Sequence, residues 1–183
     1  EQVGELVAKL KENGQYENTL IVFSSDNGPT HKDEQVDIHF FNSTGIFVNS
    51  KNTVKGNVNE GGIRVPAIAY WPGTIKPGST YNKPLAFWDW LPTVCDLANV
   101  SIPEKIDGIS FVQALKGNFE IQNDHDFLYW KFSKKEAIRK GKWKGVIPGQ
   151  GQKMELYNLE IDLGEQTNLA LMYPEKVKEI KKI

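Results

Sequence analysis

Asp26 and Asn27 stand side by side at the end of the run Leu20-Ile21-Val22-Phe23-Ser24-Ser25-Asp26-Asn27-Gly28-Pro29. A carboxylate and an amide oxygen are hard donors of the kind that Ca²⁺ or Mg²⁺ takes. The apolar, β-branched residues before them read as a buried strand. That puts both donors at the carboxyl end of a strand, where open α/β sheets keep their ligands. Asp-Asn-Gly is also a good turn after a strand. Two donors do not fill the roughly 6–8 oxygen positions of calcium, so taken alone the turn is the favoured reading.

A second segment reads Lys55-Gly56-Asn57-Val58-Asn59-Glu60-Gly61-Gly62-Ile63-Arg64-Val65-Pro66. A lysine in such a Gly- and Asn-rich loop can neutralise a sulfate or phosphate group, although most loop lysines only face water. Gly61 and Gly62 permit a tight backbone turn. Glu60 and Arg64, four apart, read as a structural ion pair. His31 and Lys32 follow the first motif at once and could reach a substrate at the mouth of a site. His39 has weaker grounds, and His125, in a polar linker, reads as structural. No histidine spacing makes a zinc site.

Other candidates have plainer readings. Phe87-Trp88-Asp89-Trp90 could stack on sugar rings, but aromatics leading into a helix are more often core. Arg139, Lys140, Lys142 and Lys144 surround Trp143 and could touch a polyanion. The favoured reading is a solvated β-hairpin whose charges discourage edge pairing. Asn42-Ser43-Thr44 and Asn99-Val100-Ser101 match the glycosylation acceptor pattern, which is frequent by chance.

The elements that must position these residues follow from periodicity and punctuation. Val3, Leu6, Val7 and Leu10 line one face of a helix over 2–13 that Gly14 stops. Thr19–Ser25 reads as a strand, and this helix-then-strand order suggests a doubly wound α/β class. Residues 27–62 form a long loop of the kind that is usually functional. Arg64–Trp71 reads as a second central strand. Asp89–Asn99 reads as a helix with Asp89 as N-cap and Pro92 in its first turn. Ile109–Leu115 is a short helix ended by Gly117. Phe127–Phe132, Glu136–Arg139, Lys142–Val146 and Glu155–Tyr157 read as a small antiparallel meander, and Pro174 opens a last helix running to Ile183. A soft boundary near residue 120 separates an α/β part, 1–120, from an antiparallel subdomain, 121–183.

The whole chain sets bounds on function. Its 183 residues suffice for one domain, or one domain with an appendage. A net charge of −1 supplies no field to steer nucleic acid. No apolar run approaches the ~20 residues that span a bilayer. With Cys95 as the one cysteine, no internal disulfide forms. The chain opens on Glu1 inside a helical pattern with no cap before Val3, which predicts a piece of a longer protein with any targeting signal upstream.

Taken together, Ser-Asp-Asn-Gly-Pro, then Lys-Gly-x-x-x-Glu-Gly-Gly-x-Arg-x-Pro, then Trp71-Pro72-Gly73 resemble the C-terminal half of type I, formylglycine-dependent sulfatases. Asp89-Trp90-Leu91-Pro92-Thr93, Asp107-Gly108-Ile109-Ser110, Arg139 to Lys144, Glu155 to Leu159 and Asp162 to Ala170 extend the resemblance over essentially the whole chain. It implies an alkaline-phosphatase-like α/β fold with a small C-terminal antiparallel sheet and terminal helix. It also implies hydrolysis of a sulfate ester on a small molecule or glycan by a formylglycine hydrate. Asp26 and Asn27 would be ligands of one divalent metal, usually Ca²⁺ with Mg²⁺ as the alternative, and Lys55 a sulfate contact. A periplasmic, secreted or lysosomal place is implied as well.

The family nucleophile arises from Cys or Ser in Cys/Ser-x-Pro-x-Arg. Cys95 lacks that context, and Ser101-Ile102-Pro103-Glu104-Lys105 ends in Lys and lies far from the family's position. The nucleophile, the remaining ligands and the catalytic histidines are therefore expected upstream, in the remainder of the same protein, and the 183-residue chain alone is expected to be inactive. Two alternatives remain: a phosphatase or phosphodiesterase of the same superfamily, and a non-catalytic module binding sulfated glycan through Arg139, Lys142 and Lys144.

Overall fold

The computed structural model describes residues 1–30, 40, 42–47 and 54–183. The chain groups into two compact units, each discontinuous in sequence: residues 1–23 with 67–125, and residues 24–66 with 126–183.

In the first unit, helix α1 (Gln2–Glu12) carries the expected apolar stripe, closed by Gly14 at φ +67°. Strands β1 (Ile21–Ser24) and β2 (Ala67–Tyr70) pair into a two-stranded sheet. Both were expected as buried central strands, but Phe23 and Ile68 are 52% and 60% exposed. The stripe of α1 is likewise open at Val3 and Leu6. Periodicity identifies which side chains are apolar and leaves open which surface covers them.

Helix α3 (Trp90–Leu97) and the short α4 (Val112–Leu115) are bound together by polar groups. Asp89, completely buried, does not cap α3 with its side chain as expected. Its Oδ2 accepts the Ala86 N–H at 2.7 Å, and its Oδ1 accepts the Ile109 N–H at 2.9 Å and His125 Nε2 at 2.8 Å. Thr93 Oγ1 donates to the Asp89 carbonyl and accepts the Phe111 N–H. Gly108 leaves room for the Trp88 carbonyl, which an added Cβ would meet at 2.1 Å. Two sequence motifs thus meet, and their polar groups are consumed in holding each other. Of the run Phe87–Trp90, it is the carboxylate that is interior, while Phe87 is half exposed.

The second unit is built on a four-stranded antiparallel meander, β3 (Leu128–Phe132), β4 (Lys135–Lys140), β5 (Trp143–Ile147) and β6 (Glu155–Asn158), in the order β3-β4-β5-β6. Trp130 pairs with Ala137, Ala137 with Val146, Arg139 with Lys144, and Lys144 with Tyr157. Alternation therefore gathers Trp130, Ala137, Arg139, Lys144, Val146 and Tyr157 on one face. That face packs Val58 and Leu159 into one core cluster. The opposite face carries Ile138, Trp143, Ile147 and Leu156 and is covered by α5 (Pro174–Ile180) through Val177 and Ile180. Gly145 permits that approach: an added Cβ would meet Ile180 Cγ2 at 2.9 Å. Pro174 occupies the first turn of α5, where its missing N–H costs nothing.

Asp89→Ala should strand the part-buried Ala86 and Ile109 N–H groups and destabilise the chain by about 2–3 kcal/mol. Phe87→Ala should cost less than about 1 kcal/mol. Urea unfolding of the two variants measures the contrast.

Candidate functional site

The two motifs meet within the second unit through their backbones. The Gly28 N–H donates to the Gly62 carbonyl at 2.9 Å, and the Lys55 N–H donates to the Pro29 carbonyl at 2.9 Å. Glycine is required at this junction. A Cβ on Gly28 would lie 1.8 Å from the Gly61 carbonyl oxygen, and one on Gly62 would lie 2.4 Å from that of Asn57. The turn after β1 is pinned by the Ser25 hydroxyl on the Asn27 carbonyl and by Ser24 Oγ on the Pro66 carbonyl. Asp26 is exposed and Asn27 half-buried, with the Asn27 amide against Asp26 Oδ1. Lys55 is exposed on the paired loop.

The side chains of Asp26 and Asn27 fit a hard cation as a partial ligand set: a carboxylate and an amide on consecutive residues of one turn, the carboxylate exposed. Among the described residues no group of three or more His, Cys, Asp or Glu side chains gathers to complete one. His31, Lys32 and His39 lie outside the described residues.

The loop carrying Lys55 is held from below by charge. The end of the expected loop 27–62 forms, with Ile63, the single helical turn α2 (Glu60–Ile63), and Glu60 is buried. Arg64 Nη1 reaches Glu60 Oε2 at 3.4 Å, the expected pair. The principal partner is a different residue. Lys144, with a fully buried side chain, places Nζ 2.8 Å from Glu60 Oε1 and 3.0 Å from Glu165 Oε1. The contact to Glu165 is an ion pair, and Lys144 is the partner of Oε1 among the described residues. Glu165 Oε2 accepts the Glu60 N–H at 2.7 Å. Arg139 Nη1 stands 3.8 Å from Glu60 Oε2. Lys135 Nζ, at the start of β4, donates to the Gly56 carbonyl and to Asn57 Oδ1.

This corrects the reading of Arg139–Lys144 as a solvated basic hairpin. Lys144 shares the inward face with Val146, and Arg139 sits opposite it. Of the remaining cations, Lys142 pairs with Glu160 and Lys140 with Glu179. Arg139 and Lys144 are engaged with Glu60, which counts against a polyanion-binding stripe through Arg139, Lys142 and Lys144. The sequence signal that could have found Lys144 is its strand phase, which matches Val146 rather than Trp143.

Glu165 reaches the interior from a turn fixed by Asp162, which accepts the Gln166 and Thr167 N–H groups. Asn168 Oδ1 accepts those of Leu156 and Ala170. Glu165 itself sits at φ +53°, a left-handed conformation costing about 1–2 kcal/mol for a residue with a Cβ. Burial pushes the Glu165 carboxyl above its ordinary value, and Lys144 and the Glu60 N–H offset this only in part. Burial acts on Glu60 too, but Lys144, Arg139 and Arg64 outweigh it and hold its carboxyl below its ordinary value.

The family model for sulfatases matches residues 1–100, and that for the C-terminal region of N-sulphoglucosamine sulphohydrolase matches residues 54–182. The chain belongs to the sulfatase family. An uncharacterized sulfatase of Schizosaccharomyces pombe is 30% identical over 97% of this chain and 39% of its own length. Arylsulfatase A of Homo sapiens is 29% identical over 99% of this chain and 40% of its own. The solved structure of Ps i-CgsB in complex with k-i-k-neocarrahexaose is 28% identical and superposes with a TM-score of 0.76, covering 98% of this chain and 38% of that one. The chain thus spans about two-fifths of the length of these similar proteins, and its fold is the alkaline-phosphatase-like fold of the family.

Gly28→Ala should force the two motifs apart and destabilise the second unit by about 3 kcal/mol, read by urea unfolding. The acid response of the cluster has a definite sign. Glu60 contributes stability that is complete above its unfolded value of 4.5 and is lost as pH falls through its lower folded value. Glu165, raised in the fold, costs stability as pH climbs above 4.5. Wild type should therefore lose its advantage over Glu60→Gln below pH 4.5, and lose ground to Glu165→Gln as pH rises from 4.5 toward neutrality, in melting temperatures measured across that range.

Proposed function

We propose that the protein carrying this chain hydrolyses sulfate esters, with Asp26 and Asn27 supplying part of a divalent-cation site and Lys55 facing the sulfate. The observation that supports this is the backbone junction of the two motifs. Gly28 bonds to Gly62 and Lys55 bonds to Pro29, so the exposed Asp26, the half-buried Asn27 and the exposed Lys55 belong to backbone segments joined by hydrogen bonds. Oxygen donors and a lysine in one place suit an anionic substrate whose negative charge grows on oxygen during ester cleavage.

When bound, the cation, Ca²⁺ or Mg²⁺, supplies positive charge toward the sulfuryl oxygens. Asp26 and Asn27 would supply a carboxylate and an amide oxygen from the turn after β1, and the exposed Lys55 would add an ammonium from the segment bonded to it. His31 and Lys32 are further candidates for substrate contact. The substrate class is proposed as a sulfated sugar or small molecule. The similar structure of Ps i-CgsB is a complex with k-i-k-neocarrahexaose. The 183-residue chain contains no Cys/Ser-x-Pro-x-Arg sequence, so the nucleophile is proposed to come from residues outside it.

In the full-length protein, Lys55→Ala should lower kcat/KM for 4-nitrophenyl sulfate by about 10²–10³. Asp26→Ala should do the same and weaken calcium binding measured by calorimetry. The 183-residue chain alone should give no turnover. Equal or faster hydrolysis of 4-nitrophenyl phosphate, or full activity of Lys55→Ala, would contradict the assignment.

A further inference from the structure

Lys144 Nζ lies deep in the second unit, beneath the loop that carries Lys55, with no exposed side-chain surface. Its route to the cation donors is short. It holds Glu60, the first residue of α2, at 2.8 Å. Two residues later the Gly62 carbonyl accepts the Gly28 N–H, and Gly28 directly follows Asn27.

Three cations draw on Glu60. Lys144 and the partly buried Arg139 draw its carboxylate inward toward the sheet. Arg64, with its side chain 46% exposed, draws Oε2 outward from 3.4 Å. Glu165 reinforces the inward position by accepting the Glu60 N–H. Removing the charge at Lys144 leaves Glu60 and Glu165 as buried carboxylates facing one another, and the relief open to Glu60 is to turn toward Arg64 and solvent. That turn takes the start of α2, the Gly61 and Gly62 carbonyls, and with them the seat of Gly28.

Building on the cation site proposed above, we propose that Lys144 is a positioning residue for the Asp26–Asn27 donor pair, acting through Glu60 and the Gly62–Gly28 hydrogen bond without touching cation or substrate. It sets the affinity of the cation site from the interior of the sheet.

The test is a calorimetric calcium titration of the full-length protein. Lys144→Met should weaken calcium binding tenfold or more, and Lys144→Arg, which restores the charge, should recover most of it. If Lys144→Met does not fold, Lys144→Gln, which keeps a polar end and loses the charge, should give a shift in the same direction. Leu156→Ala serves as the control for general destabilisation. Leu156 is fully buried on the opposite face of the sheet, against α5, so its loss should lower the melting temperature and leave calcium affinity within about twofold of wild type. Wild-type affinity in the folded Lys144 variants, or an equal loss in Leu156→Ala, would overturn the proposal. Absence of calcium uptake by the wild-type protein would instead remove the cation site itself, and that failure is seen before any variant is made.

Discussion

A single ammonium group buried between two carboxylates governs the second unit. Lys144 has no contact with solvent, and neither Glu60 nor Glu165 has more than a trace. A buried ion cluster adds little over a well-packed apolar replacement of all its members, but removal of one member costs about 3–5 kcal/mol. Its structural consequence is therefore all-or-none placement rather than net stability. The chain accepts a left-handed Glu165 and a partly unsatisfied carboxylate to build it. What it gains is a fixed position for Glu60, and through Glu60 for the loop on which Lys55 and the seat of Gly28 depend.

The apolar packing agrees with that placement. Val58, two residues before Glu60, enters the same core cluster as Ala137, Val146 and Tyr157. The strand that sends Lys144 inward also sends Val146 inward, so one alternation supplies both the charge and the hydrophobic seat for the loop. Gly145, on the opposite face between them, makes way for α5. A sulfatase-family motif that sounds catalytic, Glu-Gly-Gly, thus divides its labour. Glu60 anchors, Gly61 and Gly62 allow Gly28 to approach, and none of the three is exposed.

Local order was readable from the sequence wherever punctuation is strong. The four short strands, the Pro174 helix start, the Gly14 and Gly117 stops and the Glu60–Arg64 pair all follow from residue types over a few positions. Asp26, Asn27 and Lys55 were readable as candidates because their chemistry is local and the resemblance joins them. Lys144 was not, because a lysine in Arg-Lys-Gly-Lys-Trp-Lys is indistinguishable in composition from its exposed neighbours. Its burial is set by strand phase and by Glu60 and Glu165, both far away in sequence. The exposure of Phe23 and Ile68 was equally hidden, since alternation and β-branching describe a strand and not its cover. Asp89 was read as a helix cap, but its partners Ile109 and His125 lie beyond the range of any helix-capping pattern.

The most direct measurement is amide hydrogen exchange at Gly28 and Glu60 in the full-length protein. The Gly28 N–H is bonded to the Gly62 carbonyl, and the Glu60 N–H is bonded to the buried Glu165 carboxylate. If the interior cluster locks the two motifs together, both amides exchange as slowly as that of Val146 at the centre of the sheet, opening only with the whole unit. Exchange of either at the rate of an exposed turn such as Gly73 would show that the junction opens by itself, and would contradict the account.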